Sequence, residues 1–558
     1  MIDLPIWKAL VARRKRQRLR GLIRGYALLK REGRIADLRA LRNGLVDVAV
    51  ASHASASTRF FGAGAEHLER MLRQFVLERY AGPALNRAII YAKAKRGASV
   101  AHPMPRAWRR YLASSGVAVD HFRSAIAWAV VVLMRYLHGI VTLVRLLRSN
   151  LNNNSNAWAE IQGHYVYFDG LTAANIPQVG SSTASYDICS WYIRWPDRSH
   201  LITAVCHGVS EAGAVVVDGV TVKYERPPYE QLSGGHAIVR LALWGVWAVL
   251  AAGVGMLLGR WQKALLLAEA AKSRAVQLTT PDRLAVDYWF HYSGNVFRPM
   301  WTYEAERHGA AVTMYFYSTC DQIKLKSGYA SQRFEWGPAC WPRYVVWDTF
   351  QAAMLRRDLG PDPEMIISGP IHYSDAPLAV PPVSGTGFAV FDVQTNRRSA
   401  HFGISTLADF WAAYPDVHMR FLRDVRDVLA KCGGAMVLKG KRDIGSRGEK
   451  RYSALMQEFA ASDGVILVNS GISAVRVIQC CCAGISIPFT STALYVREQG
   501  LPSVYYDPTG WIQKDDLGAH GIPILSGKEE LRAWVAAVLD TSGVPDAGDK
   551  GRAIVSGN

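Results

Sequence analysis

From residue 388 to 506 five short apolar runs, Phe388–Val393, Ala435–Lys439, Gly464–Val468, Ile485–Pro488 and Ser503–Tyr506, alternate with helical patterns at Phe410–Lys431, around Ser453–Ala461 and from Thr492. Apolar runs this short suit strands buried on both faces, and helical stretches between them suit crossover connections, so the pattern predicts a parallel sheet of Rossmann type. A similar alternation precedes it: runs at Ala159–Phe168, Ser185–Ile193, Ala214–Lys223, Leu284–His291, Ala311–Tyr317 and 343–348, with a long helical region at 235–277. The low-complexity stretch Asn150–Asn156 and the Pro-, Ser- and Gly-rich Asp375–Gly387 read as linkers. The expected fold class is α/β, with two Rossmann-like domains facing a cleft behind a basic helical N-terminal region. Its divisions are 1–150, 151–375 (with the 235–277 insertion), the linker 376–387, and 388–545. Open sheets of this kind take ligands outside the carboxyl ends of their strands.

At 558 residues the chain is too long for one core, and with half its residues apolar and a fifth charged it is neither disordered nor fibrous. The net charge is +19, and residues 1–42 hold thirteen bases against Asp3, Glu32 and Asp37. There Ile6, Trp7, Leu10, Val11, Leu19, Leu22, Ile23, Leu28 and Leu29 interleave with the bases, which fits one or two basic amphipathic helices. Such helices lie on an anionic membrane surface or pack on their own protein with a solvated basic face. The former is the expected partner, and no nucleic acid is expected. Short apolar residues precede the charges, the reverse of a secretory signal. Ala125–Leu147 is apolar but broken by Arg135, His138 and Arg145, whereas Leu241–Gly259 is uncharged throughout. The second is long enough to span a bilayer. Strand-like runs on both sides of it belong to one sheet, however, so a buried or half-inserted interfacial helix is expected instead of a crossing. Cysteines 189, 206, 320, 340, 432 and 480–482 lack disulfide or zinc spacing and read as reduced thiols, the last three as small hydrophobes.

Ile487-Pro488-Phe489-Thr490-Ser491-Thr492 takes a strand into a Pro turn and three hydroxyl residues at a helix start. Such a turn either binds an anion such as a nucleotide phosphate or merely caps the helix. One unit later comes Tyr505-Tyr506-Asp507-Pro508, a neighbouring strand end or a plain turn. Lys439-Gly440-Lys441 follows another strand, where cations hold phosphate or are simply solvated. Asp392 closes the domain's first strand, as a ribose ligand or an exposed cap. In the first half, Glu304 is placed as a general base for an acceptor hydroxyl, a buried partner of Arg298 or a surface acid; Asp321 has a comparable claim and Asp169 stands behind both. No D-x-D, G-x-x-x-x-G-K-[ST], G-x-S-x-G or H-E-x-x-H occurs, so no bound metal or cofactor is expected.

Together PFTSTA at 488–493, YYDPTG at 505–510, RPMWTYEAE at 298–306, YFYST at 315–319 and WPRYVVWD at 341–348 resemble the bacterial polysaccharide-biosynthesis proteins known by their PFTS motif. The resemblance covers about 160–520, and it implies that 151–375 is the acceptor domain and 388–545 the donor domain. It implies a GT-B glycosyltransferase whose hydroxyl-rich turn is similar to the Ser/Thr motif with which bacterial sialyltransferases and Kdo transferases grip the phosphate of a CMP-sugar. Pro488, Thr490, Ser491 and Thr492 would then contact donor phosphate, with Asp392, Lys439, Lys441, Tyr506 and Asp507 around them. Those relatives carry His-Pro where this chain has Lys439-Gly440-Lys441. The implied activity is transfer of a sugar, such as a nonulosonic acid or Kdo, from a nucleotide-sugar to a glycan or lipid-linked acceptor at the cytoplasmic face of the inner membrane. The rival readings are a CDP-polyol phosphotransferase and a non-catalytic membrane-docked scaffold.

Overall fold

The computed structural model describes residues 20–29, 31–32, 34–50, 58–152, 164–177, 186–196, 201–232, 234–291, 297–319, 324–325, 328–329, 339–359, 363–383, 386–393, 395, 415–441, 445 and 448–541.

The first sheet comprises β1 (Tyr165–Asp169), β2 (Ala204–His207), β3 (Val215–Val217), β4 (Val220–Tyr224), β5 (Asp287–His291), β6 (Ala311–Tyr315), β9 (Arg343–Val346) and β10 (Glu364–Ile367). A two-stranded ribbon, β7 (Lys324–Leu325) and β8 (Gly328–Tyr329), stands between β6 and β9 in the chain. The order is β10-β9-β6-β5-β1-β2-β4-β3, and each pair is parallel except β3 with β4. The strand order reverses between β1 and β5, which places the crevice of this domain at Asp169 and His291.

Two expectations change here. Within the strand expected at Ser185–Ile193 the described residues fold otherwise: Ile188–Arg194 is helical, with Asp187 accepting from the Ser190 N–H at 2.9 Å as its cap. Residues 188–193 of this helix are all buried, with Tyr192 packed on Phe168 and Trp289, so the run shows no exposed face and periodicity could not separate it from a buried strand. Ala214–Lys223 is a hairpin, turned at Asp218-Gly219 with both residues at positive φ, 47° and 82°. Asp-Gly is the residue pair such a tight turn requires.

The second sheet comprises β11 (Gly387–Asp392), β12 (Ala435–Gly440), β13 (Val465–Val468), β14 (Ala483–Ser486), β15 (Ser503–Asp507) and β16 (Ile524–Ser526). It is parallel throughout in the order β13-β12-β11-β14-β15-β16, which counted within the domain is 3-2-1-4-5-6, the dinucleotide-binding order. The sixth strand was not expected, since only three residues after Pro523 pair with β15. The switch point lies between β11 and β14, so the turn that begins at Ile487 opens into the crevice. The two Rossmann-like sheets face each other at their carboxyl edges. The linker residue Asp375 donates its N–H to the Ala174 carbonyl, just beyond β1, and accepts from the Ser473 N–H, just beyond β13. Asp348, beyond β9, meets His520 Nδ1 of the second domain at 2.6 Å.

A third, helical layer shares one apolar core. It includes α1 (Leu68–Tyr80), α2 (His121–Leu151), α3 (Gly235–Leu257), α4 (Leu267–Leu278) and α5 (Trp301–Arg307). Residues 20–29, within the basic arm, form a helix that turns Leu22, Tyr26 and Leu29 into this layer and leaves Arg20 and Arg24 exposed. α2 and α3 run antiparallel: Tyr136 donates to the Val249 carbonyl, and Gly245 lies so near Leu143 that a Cβ there would fall 2.5 Å from it. Each is long and apolar enough to cross a membrane by length and composition. Each also turns one apolar stripe outward, Phe122, Ile126, Val130, Met134, Leu137 and Val141 on α2, and Val239, Leu243, Val246, Leu250, Val254 and Leu257 on α3. Their other faces pack on the protein.

Candidate functional site

β14 ends at Ser486, the peptide after Pro488 is cis, and the chain turns into a short helix, Thr492–Glu498. The hydroxyls of this turn divide into two kinds. Thr490 donates to the Ile487 carbonyl at 2.9 Å, Thr492 donates to Thr490 at 3.1 Å, and Ser486 lies 3.2 Å from Thr492, a relay that fixes the turn. Ser491 sits at the helix cap without making a side-chain cap bond, so its half-exposed hydroxyl is free to meet a ligand. The simple capping alternative is therefore not what the serine does. From the neighbouring strand, Tyr505 donates to the Thr490 carbonyl at 3.1 Å and braces the turn.

Two strands away, β12 brings Lys439 to the same carboxyl edge, about 10 Å from β14 at ordinary strand spacing. Its ammonium donates to the Ser470 carbonyl at 3.1 Å, and burial pulls its pKa down to about 8, with Asp375 opposing the fall and Lys441 adding to it. At neutral pH it remains a cation. Lys441 is exposed at the end of the same strand.

Three expected donor contacts have other employment. Asp392 is buried at the end of β11, where one oxygen meets His418 Nδ1 at 2.6 Å and the other accepts from the Tyr452 hydroxyl at 2.7 Å. It pins the helices that carry those residues to the sheet, and it is neither an exposed cap nor open to a ribose. Tyr506 turns to the opposite side of its strand and donates to Asp424 at 2.8 Å. Asp507 is fully buried and accepts from the N–H groups of Thr509 and Ile512 at 2.8 and 2.9 Å, which shapes the loop of YYDPTG. Both are scaffold for the turn beside them. Pro488 is buried beneath it.

Glu304 also moves out of the cleft. It lies on α5, fully buried against the helical layer, with Oε1 accepting from the Ala63 N–H at 2.7 Å and Oε2 at 3.8 Å from Arg307. Its block, RPMWTYEAE, is a clamp: Arg298 is buried over the Tyr303 ring at 3.8 Å, donates to Thr302 at 2.9 Å and pairs with Glu306. Of the three placements the sequence allowed for Glu304, the buried one holds, although its partners are Ala63 and Arg307 instead of Arg298. Asp321 lies outside the described residues.

Asp169, by contrast, ends β1 at the switch point of the first sheet, half-buried. Beside it sits a residue the sequence reading did not single out, His291 at the end of β5. Its Nε2 lies 3.3 Å from the Gly170 carbonyl, which can only accept, so the proton is on Nε2 and the lone pair on Nδ1. Nδ1 is buried without a hydrogen-bond partner. Burial holds the imidazole below its usual pKa, against the opposing pull of the carbonyl. Gly170 has φ 73°, and a Cβ there would fall 3.1 Å from His291 Nε2, so glycine satisfies both the backbone and the ring. Tyr373, just before the linker, stacks on Tyr317 at 4.3 Å and packs against the His291 ring. A histidine ending a strand was visible in the sequence; that its strand neighbours β1 was not.

No group of three or more potential metal ligands occurs among the described residues. No curated relative matches the chain in sequence. Among solved structures it is similar to TarM (8% identity over 47% of this chain and 49% of that one, TM-score 0.28), of whose length it spans about half. It is also similar to the catalytic domain of starch synthase IV from Arabidopsis thaliana bound to ADP and acarbose (11%, 68% and 91%, TM-score 0.34). A third is the glycosyltransferase SnogD from Streptomyces nogalater (13%, 68% and 95%, TM-score 0.29). At these scores the likenesses carry no weight, and the architecture rests on the strand orders. Residues 246–535, more than half of the chain and including the PFTS turn, match the polysaccharide biosynthesis PFTS motif proteins, and the chain belongs to that family.

Proposed function

We propose that this protein is a glycosyltransferase that builds a bacterial surface polysaccharide at the cytoplasmic face of the inner membrane, taking a sugar from a CMP-linked donor such as a nonulosonic acid or Kdo. The observation that carries the reading is the half-exposed Ser491 at one sheet's switch point, with Lys439 at the same carboxyl edge, together with the His291 imidazole at the other sheet's switch point, whose buried Nδ1 lacks a hydrogen-bond partner. Donor phosphate oxygens accept from Ser491 and Lys439, and the chain's own cations take the place of a metal. The acceptor hydroxyl gives its proton to His291 Nδ1 as its oxygen bonds to the sugar carbon. The bond from that carbon to the phosphate oxygen breaks, and its electron pair stays on the phosphate, where the Lys439 charge is best used.

Replacement of His291 by Gln should lower kcat/KM by about 10²–10⁴ without unfolding the protein. In the wild type a base whose pKa is depressed stays unprotonated below pH 6.5, so the rate should persist below that pH and fall only as His291 itself takes up a proton. An acid limb centred above pH 6.5, or full activity in His291→Gln, rules out this base.

Membrane association is part of the proposal and is supported by the twin apolar stripes of α2 and α3. Because these side chains are exposed, the triple change Leu243→Glu, Val246→Glu, Leu250→Glu should leave the fold intact. Each buried apolar side chain contributes about 1.5–3 kcal/mol, so vesicle binding should fall more than tenfold. Unchanged flotation with vesicles would show that the stripes do not enter the bilayer.

A further inference from the structure

Next to the outward stripe of α3 lies a basic groove made of two adjoining cavities. One, of about 630 Å³, is lined by Arg59, Arg240, Leu243, Trp244, Trp247 and Arg274 among others. The second, of about 490 Å³, shares Arg240 and Arg274 and adds His236, Glu304, Arg307 and His308. Four guanidinium groups thus face one carboxylate, and that carboxylate is already held by the Ala63 N–H. The Nε–H of Arg274, Oε2 of Glu304 and Nε2 of His308 are buried there without hydrogen-bond partners. Glu304 lies 3.8 Å from Arg307 and offsets one of the four charges, so the groove keeps a net positive charge, and a planar guanidinium matches phosphate oxygens two at a time. The groove is also amphiphilic. Trp244 and Trp247 form its apolar wall with Leu243, which belongs to the outward stripe, and tryptophan at the boundary of an apolar stripe and a basic rim is the arrangement found where a protein meets headgroups.

We infer that this groove is a second anion site, separate from the cleft, and that it holds the phosphate-monoester headgroup of a lipid whose chain runs along Leu243 and Trp247 into the bilayer. Arg240 and Arg274 grip the headgroup from both cavities, and Arg59 and Arg307 close its two ends. The lipid source, instead of free phosphate, follows from the continuity of the apolar wall with the stripe, and it rests on the membrane reading given above. A site for a lipid phosphate beside the acceptor domain would keep a lipid-linked acceptor at the enzyme between transfers.

The test uses the full chain with phosphatidylcholine vesicles containing either dioleoyl phosphatidic acid or phosphatidylglycerol at equal surface charge. Wild type should prefer phosphatidic acid by about tenfold, the worth of one or two charge-assisted hydrogen bonds, and Arg240→Gln/Arg274→Gln should abolish the preference while still binding vesicles. Equal binding to both lipids, or an equal loss for both in the variant, overturns the site and leaves only a charged surface. If no vesicle binds, the membrane reading fails, and soluble hexyl phosphate then tests the groove alone. Thermal stabilisation of the wild type but not of the double variant by hexyl phosphate upholds the groove; no stabilisation overturns it. Inorganic phosphate acting as well as hexyl phosphate overturns the lipid assignment.

Discussion

Replacing Asp392 by alanine should destabilise the protein by about 3–5 kcal/mol, because it leaves the His418 Nδ1 and the Tyr452 hydroxyl buried without the carboxylate they share. Asp392→Asn, which keeps a carbonyl acceptor for the tyrosine, should lose about 1–2 kcal/mol. Urea unfolding at neutral pH measures both. The ribose-ligand reading of this residue forecasts the reverse: little change in stability and a large loss of nucleotide affinity. A stable Asp392→Ala variant with weakened nucleotide binding would return the carboxylate to the donor site.

The double change Ser491→Ala/Lys439→Ala should lower kcat by about 10³ or more, since removing one preorganised donor to a developing charge costs about 10²–10³. The loss should fall on kcat more than on KM. Negative charge on the donor phosphate grows as the sugar departs, so these contacts strengthen toward the transition state. Stability should change little at Ser491, whose hydroxyl makes no side-chain cap bond, and by about 1 kcal/mol at Lys439, where the Ser470 carbonyl loses a donor. Steady-state kinetics on the double variant separate an enzyme from a scaffold: a scaffold has no turnover to lose, and its partner binding should be untouched.

The architecture was legible in the sequence wherever burial forces a pattern. The apolar runs of the second sheet are strands because both faces of a parallel sheet are covered, and the PFTS turn lies at a strand end because a Pro and three hydroxyls cannot extend β14. Legibility failed where two structures produce the same pattern or where a property belongs to the topology. The buried, largely apolar stretch Ile188–Ile193 of a helix read as a strand, and the three-residue β16 was too short to register. Asp392 and Asp507 were correctly placed at strand ends, yet a carboxylate there can point into the crevice or back beneath the loop, and only packing decides. Glu304 was drawn to the cleft by its strand–turn–helix context, whereas α5 turns it toward the helical layer. His291 was passed over because its value comes from β5 lying beside β1, a pairing fixed by strand order and absent from local sequence.

A nucleotide should occupy the crevice at the PFTS turn, which thermal unfolding of the full chain with CMP, CDP, UDP, GDP and dTDP will reveal. A ligand at 100 times its Kd stabilises the folded state by about 2.7 kcal/mol. CMP should stabilise the protein, largely losing that effect in Ser491→Ala, and stabilisation by another nucleotide alone would keep the site while replacing the donor. No shift with any nucleotide, or the same shift in Ser491→Ala as in the wild type, would contradict a donor site at this turn.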